Sequence, residues 1–204
     1  FDMSHEDLAN ALWTNIKEIP NNGIDDDNNG YIDDVHGWNT VQNNGDIRPI
    51  NNHGTLVSSI IAATKDNGIG IAGIAPKVKI MPILVTEKAN ESIKEDHIEY
   101  DAVLKAVQYA VKNGARIINM SFGADAPAGF YTNIMQYAYD HNVLLVVSAG
   151  NNGVNLNTSN TSPVCDDGNK NFVLGIAALE HDLTRASFSN YGDRCVDLSV
   201  PGVD

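Results

Sequence analysis

The order of apolar segments predicts an α/β fold with a mainly parallel sheet between helical layers. Three observations carry it. From residue 53 onward, short apolar runs alternate with segments of helical period. One run, Val143 to Ser148, is nearly continuous, as expected for a strand covered on both faces. Strands separated by helices join through βαβ crossovers, which set them parallel. In such a three-layer α/β/α arrangement, function sits at the carboxyl ends of strands. The segments after Val85, Met120 and Ser148 are therefore the places to look.

Taken in order, Leu56, Val57, Ile60 and Ile61 recur at helical spacing, and Lys79 to Val85 reads as a buried strand. Val103, Leu104, Val107, Ala110 and Val111 form an apolar stripe that stops at Gly114, a helix. Arg116 to Ser121 is a strand, and Ile134 to Tyr139 belongs to a helix. Phe172 to Ala178 and Val196 to Val200 are further strands. The first 50 residues differ: they are polar and rich in Asn, Asp and Gly, and read as an elaborated surface region. No internal repeat or linker is visible, so residues 1–204 are expected to form a single domain.

Composition narrows the function. The chain is 43% hydrophobic and 19% charged, which is globular rather than disordered. Its net charge of -13 disfavours nucleic acid, whose phosphates need a basic surface, and suits cations, although a solvated acidic surface has the same signature. No apolar run approaches the ~18 residues of a membrane span. Cys165 and Cys195 do not form a CxxC pair, so zinc and thioredoxin-type chemistry are disfavoured. Both flank the strand from Phe172 to Ala178 and its return past Tyr191, which lets them meet at a sheet edge as a disulfide; two free thiols are the alternative.

Gly68-Ile69-Gly70-Ile71-Ala72-Gly73 matches the dinucleotide fingerprint GxGxxG. That fingerprint needs a strand before it and a helix after it. Here a helix precedes, and Pro76 and a strand follow, so the context is wrong for a nucleotide.

Four blocks carry a different signal. Asn52-His53-Gly54-Thr55-Leu56-Val57 opens an apolar helix. Asn119-Met120-Ser121-Phe122-Gly123 ends one strand and Ser148-Ala149-Gly150-Asn151 the next. Ala186-Ser187-Phe188-Ser189-Asn190-Tyr191-Gly192 is followed by Pro201-Gly202-Val203. Each is modest alone. In this order and spacing, from Phe1 to Asp204, they resemble the subtilisin-like serine proteases, the subtilase or peptidase S8 family.

The resemblance implies a calcium-supported endopeptidase with an Asp/His/Ser triad, secreted or at the cell surface, made with an inhibitory prosegment and acting on protein or peptide substrates. His53 matches the general base, an imidazole that titrates near neutrality and takes the proton of an attacking serine. Asn151 matches the amide that stabilises the oxyanion; read alone it is a turn residue in Gly150-Asn151-Asn152-Gly153. Ser121, Phe122 and Gly123 match the edge that pairs with the substrate backbone and lines the first specificity pocket, although Phe122 reads equally as a core aromatic. After Val85, Glu87, Glu91, Glu95, Asp96, Glu99 and Asp101 crowd against Lys88 and Lys94. They would welcome a basic substrate side chain, or are simply the acids favoured at a helix start.

The chain also departs from the pattern. Asn52 stands where the family has glycine, and Leu56 where it has a second histidine. The family's aspartate precedes a His-x-Asp-Leu block, here His5-Glu6-Asp7-Leu8, and is expected upstream of Phe1. The Gly-Thr-Ser nucleophile is expected beyond Asp204. An incomplete portion of a protease is the simplest account, and a catalytically silent binding or structural module is the alternative.

Two stretches suit calcium. Asp25-Asp26-Asp27-Asn28-Asn29-Gly30-Tyr31-Ile32-Asp33-Asp34 resembles the start of an EF-hand-type loop, with oxygens at Asp25, Asp27, Asn29 and Asp33, the Tyr31 position between them and glycine sixth. His36 replaces the closing glutamate, leaving Asp33 or Asp34 to complete the shell. The loop from Lys65 to Ile71 resembles a family calcium loop, in which Asp7 and Asn67 supply side-chain oxygens.

Overall fold

The computed structural model describes residues 1–87, 97–168 and 170–203, which form two compact units, Phe1–Lys112 and Asn113–Asp204. In the first unit the chain runs largely through turns to β1 (Trp38–Asn39), then α1 (His53–Ala62), β2 (Ile83–Leu84), β3 (Thr86–Glu87), β4 (His97–Ile98) and α2 (Tyr100–Lys112). β1 pairs parallel with β2, and β3 antiparallel with β4. Leu8, Ala11 and Ala62 are buried together, with Phe1, Ile61 and Ile80 packed against them.

Helix α2 follows its apolar period, burying Val103, Val107 and Ala110 and packing on β2. It ends where expected, with Gly114 at φ +82°, a left-handed position that glycine adopts without steric cost. The strand expected over Lys79 to Val85 is shorter. Only Ile83–Leu84 pairs as a strand, with a separate bridge from Ile80 to Leu12. Pro82 lies between them and has no N–H to extend a ladder, although its carbonyl accepts from Trp38.

The polar first 50 residues are more than a surface elaboration. Asp7, Asn15, Glu18, Asn29, Asp34, Asn39 and Thr40 are buried there beside Leu8, Ala11, Trp38 and Ile47. Burial of these groups is tolerated because they hydrogen-bond to one another and to backbone. Asn39, for example, accepts from the amides of Val41 and Gln42 and donates to the Asp46 carbonyl.

The second unit holds β5 (Ile117–Met120), β6 (Ala124–Asp125), α3 (Thr132–Asp140), β7 (Leu144–Ser148), β8 (Thr161–Ser162), β9 (Val173–Leu179) and β10 (Leu198–Pro201). Its four-stranded sheet has the order β10-β9-β7-β5 and is parallel throughout. Helix α3 crosses between β5 and β7 and packs on β7, so the expected βαβ unit is present. Leu145 and Val147 are fully buried, but Leu144 is 44% exposed, so β7 is covered less evenly than its composition predicts. The last strand begins at Leu198 rather than Val196, because Asp197 turns its carboxylate back onto the Gly175 amide. A disulfide joins Cys165 and Cys195.

Candidate active site

The parallel register places the ends of β5 and β7 side by side, Met120 opposite Val147. Ser121 leaves β5 there, and Asn119 donates its side-chain amide to the Ser121 hydroxyl at 2.9 Å. Asn151 leaves β7 after Ala149-Gly150 and is exposed. Ser121 and Asn151 border one pocket of about 200 Å³, shared with Asn119, Ser148, Gly150 and Ser189. Phe122 is half-buried. Gly123 runs past β8, and a Cβ there would lie 3.1 Å from the Ser162 carbonyl oxygen.

The segment continuing from Gly123 is held from one side. β6 pairs with β8, and the Asn160 side chain donates to the Ala126 carbonyl. Asp166, fully buried, accepts from the Gly129 and Tyr131 amides at 2.9 Å each. A carboxylate at this position also offsets the positive end of α3.

The loop carrying Asn151 closes on one residue, Asn190, which is fully buried. Its side-chain nitrogen donates to the Ala149 carbonyl at 2.9 Å. Its side-chain oxygen accepts from the Asn152 and Val154 amides at 3.0 and 3.1 Å. Its backbone N–H donates to the Gly150 carbonyl.

In the first unit, His53 is the first residue of α1 and is exposed, its amide donating to the Asn51 side chain at 3.1 Å. The start of the chain lies alongside it: the Asp2 amide donates to the Thr55 hydroxyl at 2.8 Å, and Phe1 packs against Gly54. Of the acidic group after Val85, residues 88–96 lie outside the described residues, which takes in Glu91, Glu95 and Asp96 and their partners Lys88 and Lys94.

The two calcium candidates differ in construction. Asp25, Asp27 and Glu18 bring carboxylate oxygens within 4.8 Å of one another, a hard-oxygen set that fits a calcium ion. Glu18 had no signal in the loop motif, because it precedes position 1 across an Asn-Asn-Gly turn. It is buried and accepts from the amides of Asp26, Asp27 and Asp33. Asn29 caps the cluster, its amide donating to Asp25 and Asp27. Asp33 instead accepts from the Asn22 and Gly23 amides. Asp34 is fully buried, accepting from Asn15 and Asn29. The Tyr31 ring packs edge-on against Trp38 and Tyr109. Burial raises the pKa of Asp34 above the ordinary carboxylate range, against the pull of hydrogen bonds from Tyr109, Asn15 and Asn29. Burial and then the Asp34 carboxylate push the Tyr109 phenol far up.

Asp7 and Asn67, 60 residues apart, meet directly at 2.8 Å, and the Ile71 amide donates to the same carboxylate. Gly70 packs against Asp7 so closely that a Cβ would fall 2.3 Å from its oxygen. Close packing thus accounts for Gly70 and Gly73 of the false nucleotide fingerprint, and a left-handed φ of +73° for Gly68.

Residues 1–204 match the sequence profile of the Subtilase family over their whole length, and the chain belongs to that family. It is 34% identical over 83% of its length to the "Thermophilic serine proteinase" of Bacillus sp. (strain AK1), and 33% identical over 100% to "Subtilisin-like protease 1" of Plasmodium vivax. It spans 39% and 34% of those relatives. A solved lanthipeptide protease superposes on 99% of the chain with TM-score 0.72 at 24% identity, covering 52% of that protein, which shows a subtilisin-like α/β fold.

Proposed function

We propose that the whole protein is a serine endopeptidase in which residues 1–204 supply the general base and the oxyanion donor. The carrying observation is the pocket at the ends of β5 and β7, which Ser121 and Asn151 both line. In this reading Ser121, Phe122 and Gly123 take the substrate backbone, and the Asn151 amide faces the carbonyl oxygen as charge develops on it. His53 takes the serine proton and returns it to the leaving amine. The aspartate belongs upstream of Phe1 and the nucleophile beyond Asp204. Residues 1–204 alone then hydrolyse no peptide at an enzymatic rate, since a base without a nucleophile has no proton to take.

A structural calcium ion at Glu18, Asp25 and Asp27 is part of the same proposal, with a second at Asp7 and Asn67. The ion would offset the like charges that these carboxylates bring together. The disulfide suits an oxidising compartment, so the protein is proposed to be secreted or displayed at the cell surface. Among the described residues, no helix is long and apolar enough to cross a membrane. An inhibitory prosegment belongs to the same proposal.

The test is labelling of the full-length protein by a serine-reactive phosphonate. Stoichiometric labelling, suppressed by a peptide substrate, is expected. A folded protein that stays unlabelled contradicts the reading.

A further inference from the structure

We infer that Asn190 is a positioning residue for Asn151, acting on turnover rather than on substrate affinity. The inference rests on the endopeptidase reading above.

Four hydrogen bonds from one residue bracket the Asn151 turn on both sides. On the entering side, Asn190 donates to the carbonyls of Ala149 and Gly150; on the leaving side, it accepts from the amides of Asn152 and Val154. Asn151 lies between these anchors and is itself exposed toward the pocket it borders. Only an amide serves both ends. A carboxylate cannot donate to Ala149, and a hydroxyl cannot span the turn. Gly150 makes room: it sits at φ +101°, and a Cβ there would lie 2.6 Å from the Asn190 side-chain nitrogen.

Asn190 is in turn fixed from behind. Its carbonyl accepts from the Ser189 hydroxyl, which also accepts from the Ala178 amide of β9. Arg185 reaches the carbonyls of Ala186 and Ser189 and lies over the Tyr191 ring at 4.4 Å. The oxyanion donor therefore stands on a turn whose backbone is tied to the sheet. Preorganisation of this kind gives such a donor its value, because no reorganisation is needed as charge develops.

The consequence has an upper bound. If Asn190 acts only through Asn151, its loss costs no more than loss of Asn151 itself, which for a single oxyanion donor is about 10²–10³-fold in turnover. The experiment compares kcat and KM of the full-length protein with those of Asn190→Ala, Asn151→Ala and the double variant, normalised to phosphonate-titrated sites. Asn190→Ala is expected to lower kcat at least about tenfold with KM nearly unchanged, and to add little in the Asn151→Ala background. Asn190→Asp keeps the acceptor but not the donor; it is expected to fall between wild type and Asn190→Ala, and it is read alone if the alanine variant does not fold. Effects that multiply fully in the double variant, or a loss confined to KM, overturn the inference. A wild-type protein that neither turns over nor labels overturns the endopeptidase reading and the inference with it.

Discussion

In the second unit, Leu145 and Val147 are fully buried in β7, between β5 and β9, and backbone groups pair with backbone groups along four parallel strands. From Asn15 to Trp38 in the first unit, order comes by another route. There the amides of Ile19, Asn22, Gly23, Asp26, Asp27, Asn29, Gly30 and Asp33 donate to side-chain carboxylates. The sheet is ordered by apolar burial at its centre and by backbone pairing between its strands. The acidic segment satisfies its backbone with anions and so gathers like charges, which a cation would relieve. Lys17 lies 4.0 Å from Asp27 but is 73% exposed, too solvated to offset much.

The comparison predicts different responses to the same perturbations. The largest effect is expected from Leu145→Ala, which opens a cavity in the sheet core and costs about 2–5 kcal/mol. Thermal melts should show that loss equally with calcium and with chelator; a calcium-dependent loss would blur the distinction between the regions. Next is removal of the disulfide by Cys165→Ala with Cys195→Ala. Its ends are 30 residues apart, which corresponds to about 3.6 kcal/mol in the chain-entropy model. This loss too should be indifferent to calcium, and recovery of two alkylatable thiols from the unreduced wild type would remove its premise.

Chelation comes third. An ion held only by the folded state adds about 2.7 kcal/mol at a hundredfold excess over its Kd. Glu18→Ala and Asp27→Ala should each remove the part of the calcium-dependent rise in melting temperature that this site supplies, leaving the share of the Asp7 site, whereas Asp33→Ala should leave most of the whole rise. Loss of the response in Asp33→Ala but not in Glu18→Ala would move the site.

The smallest effect is in pH. Burial raises the Asp34 pKa above its ordinary 3.8, so the folded protein holds that proton to higher pH than the unfolded chain does. Stability from this group is therefore full in acid and declines as pH rises from 3.8 through the raised value. Glu18, raised from 4.5 by burial, acts in the same direction. In chelator, Asp34→Asn should flatten the fall in melting temperature across that window. An unchanged slope would show that Asp34 does not titrate as its burial demands.

The same contrast explains what could be read from the sequence. The sheet was legible because β7 and the stripe of α2 write their burial in apolar residues at a regular period. The family blocks singled out His53, Ser121 and Asn151 as candidates because the order of the blocks is specific. Glu18 left no such trace, and Asn190 stood in a family block without any role that the block assigned to it. Each is a buried polar residue whose partners lie across a turn or 36 to 41 residues away, and hydrogen-bonding at that distance has no periodicity. For the same reason the Asn- and Asp-rich start read as surface. Its buried members are polar, and hydropathy records only apolar burial.

The most direct test of the account is the rate at which the full-length protein hydrolyses casein, compared with its His53→Ala variant. The account predicts clear turnover in the wild type and a loss of about 10³-fold or more in a variant that folds and melts normally. Equal turnover in the two would place the general base elsewhere and contradict the assignment of His53.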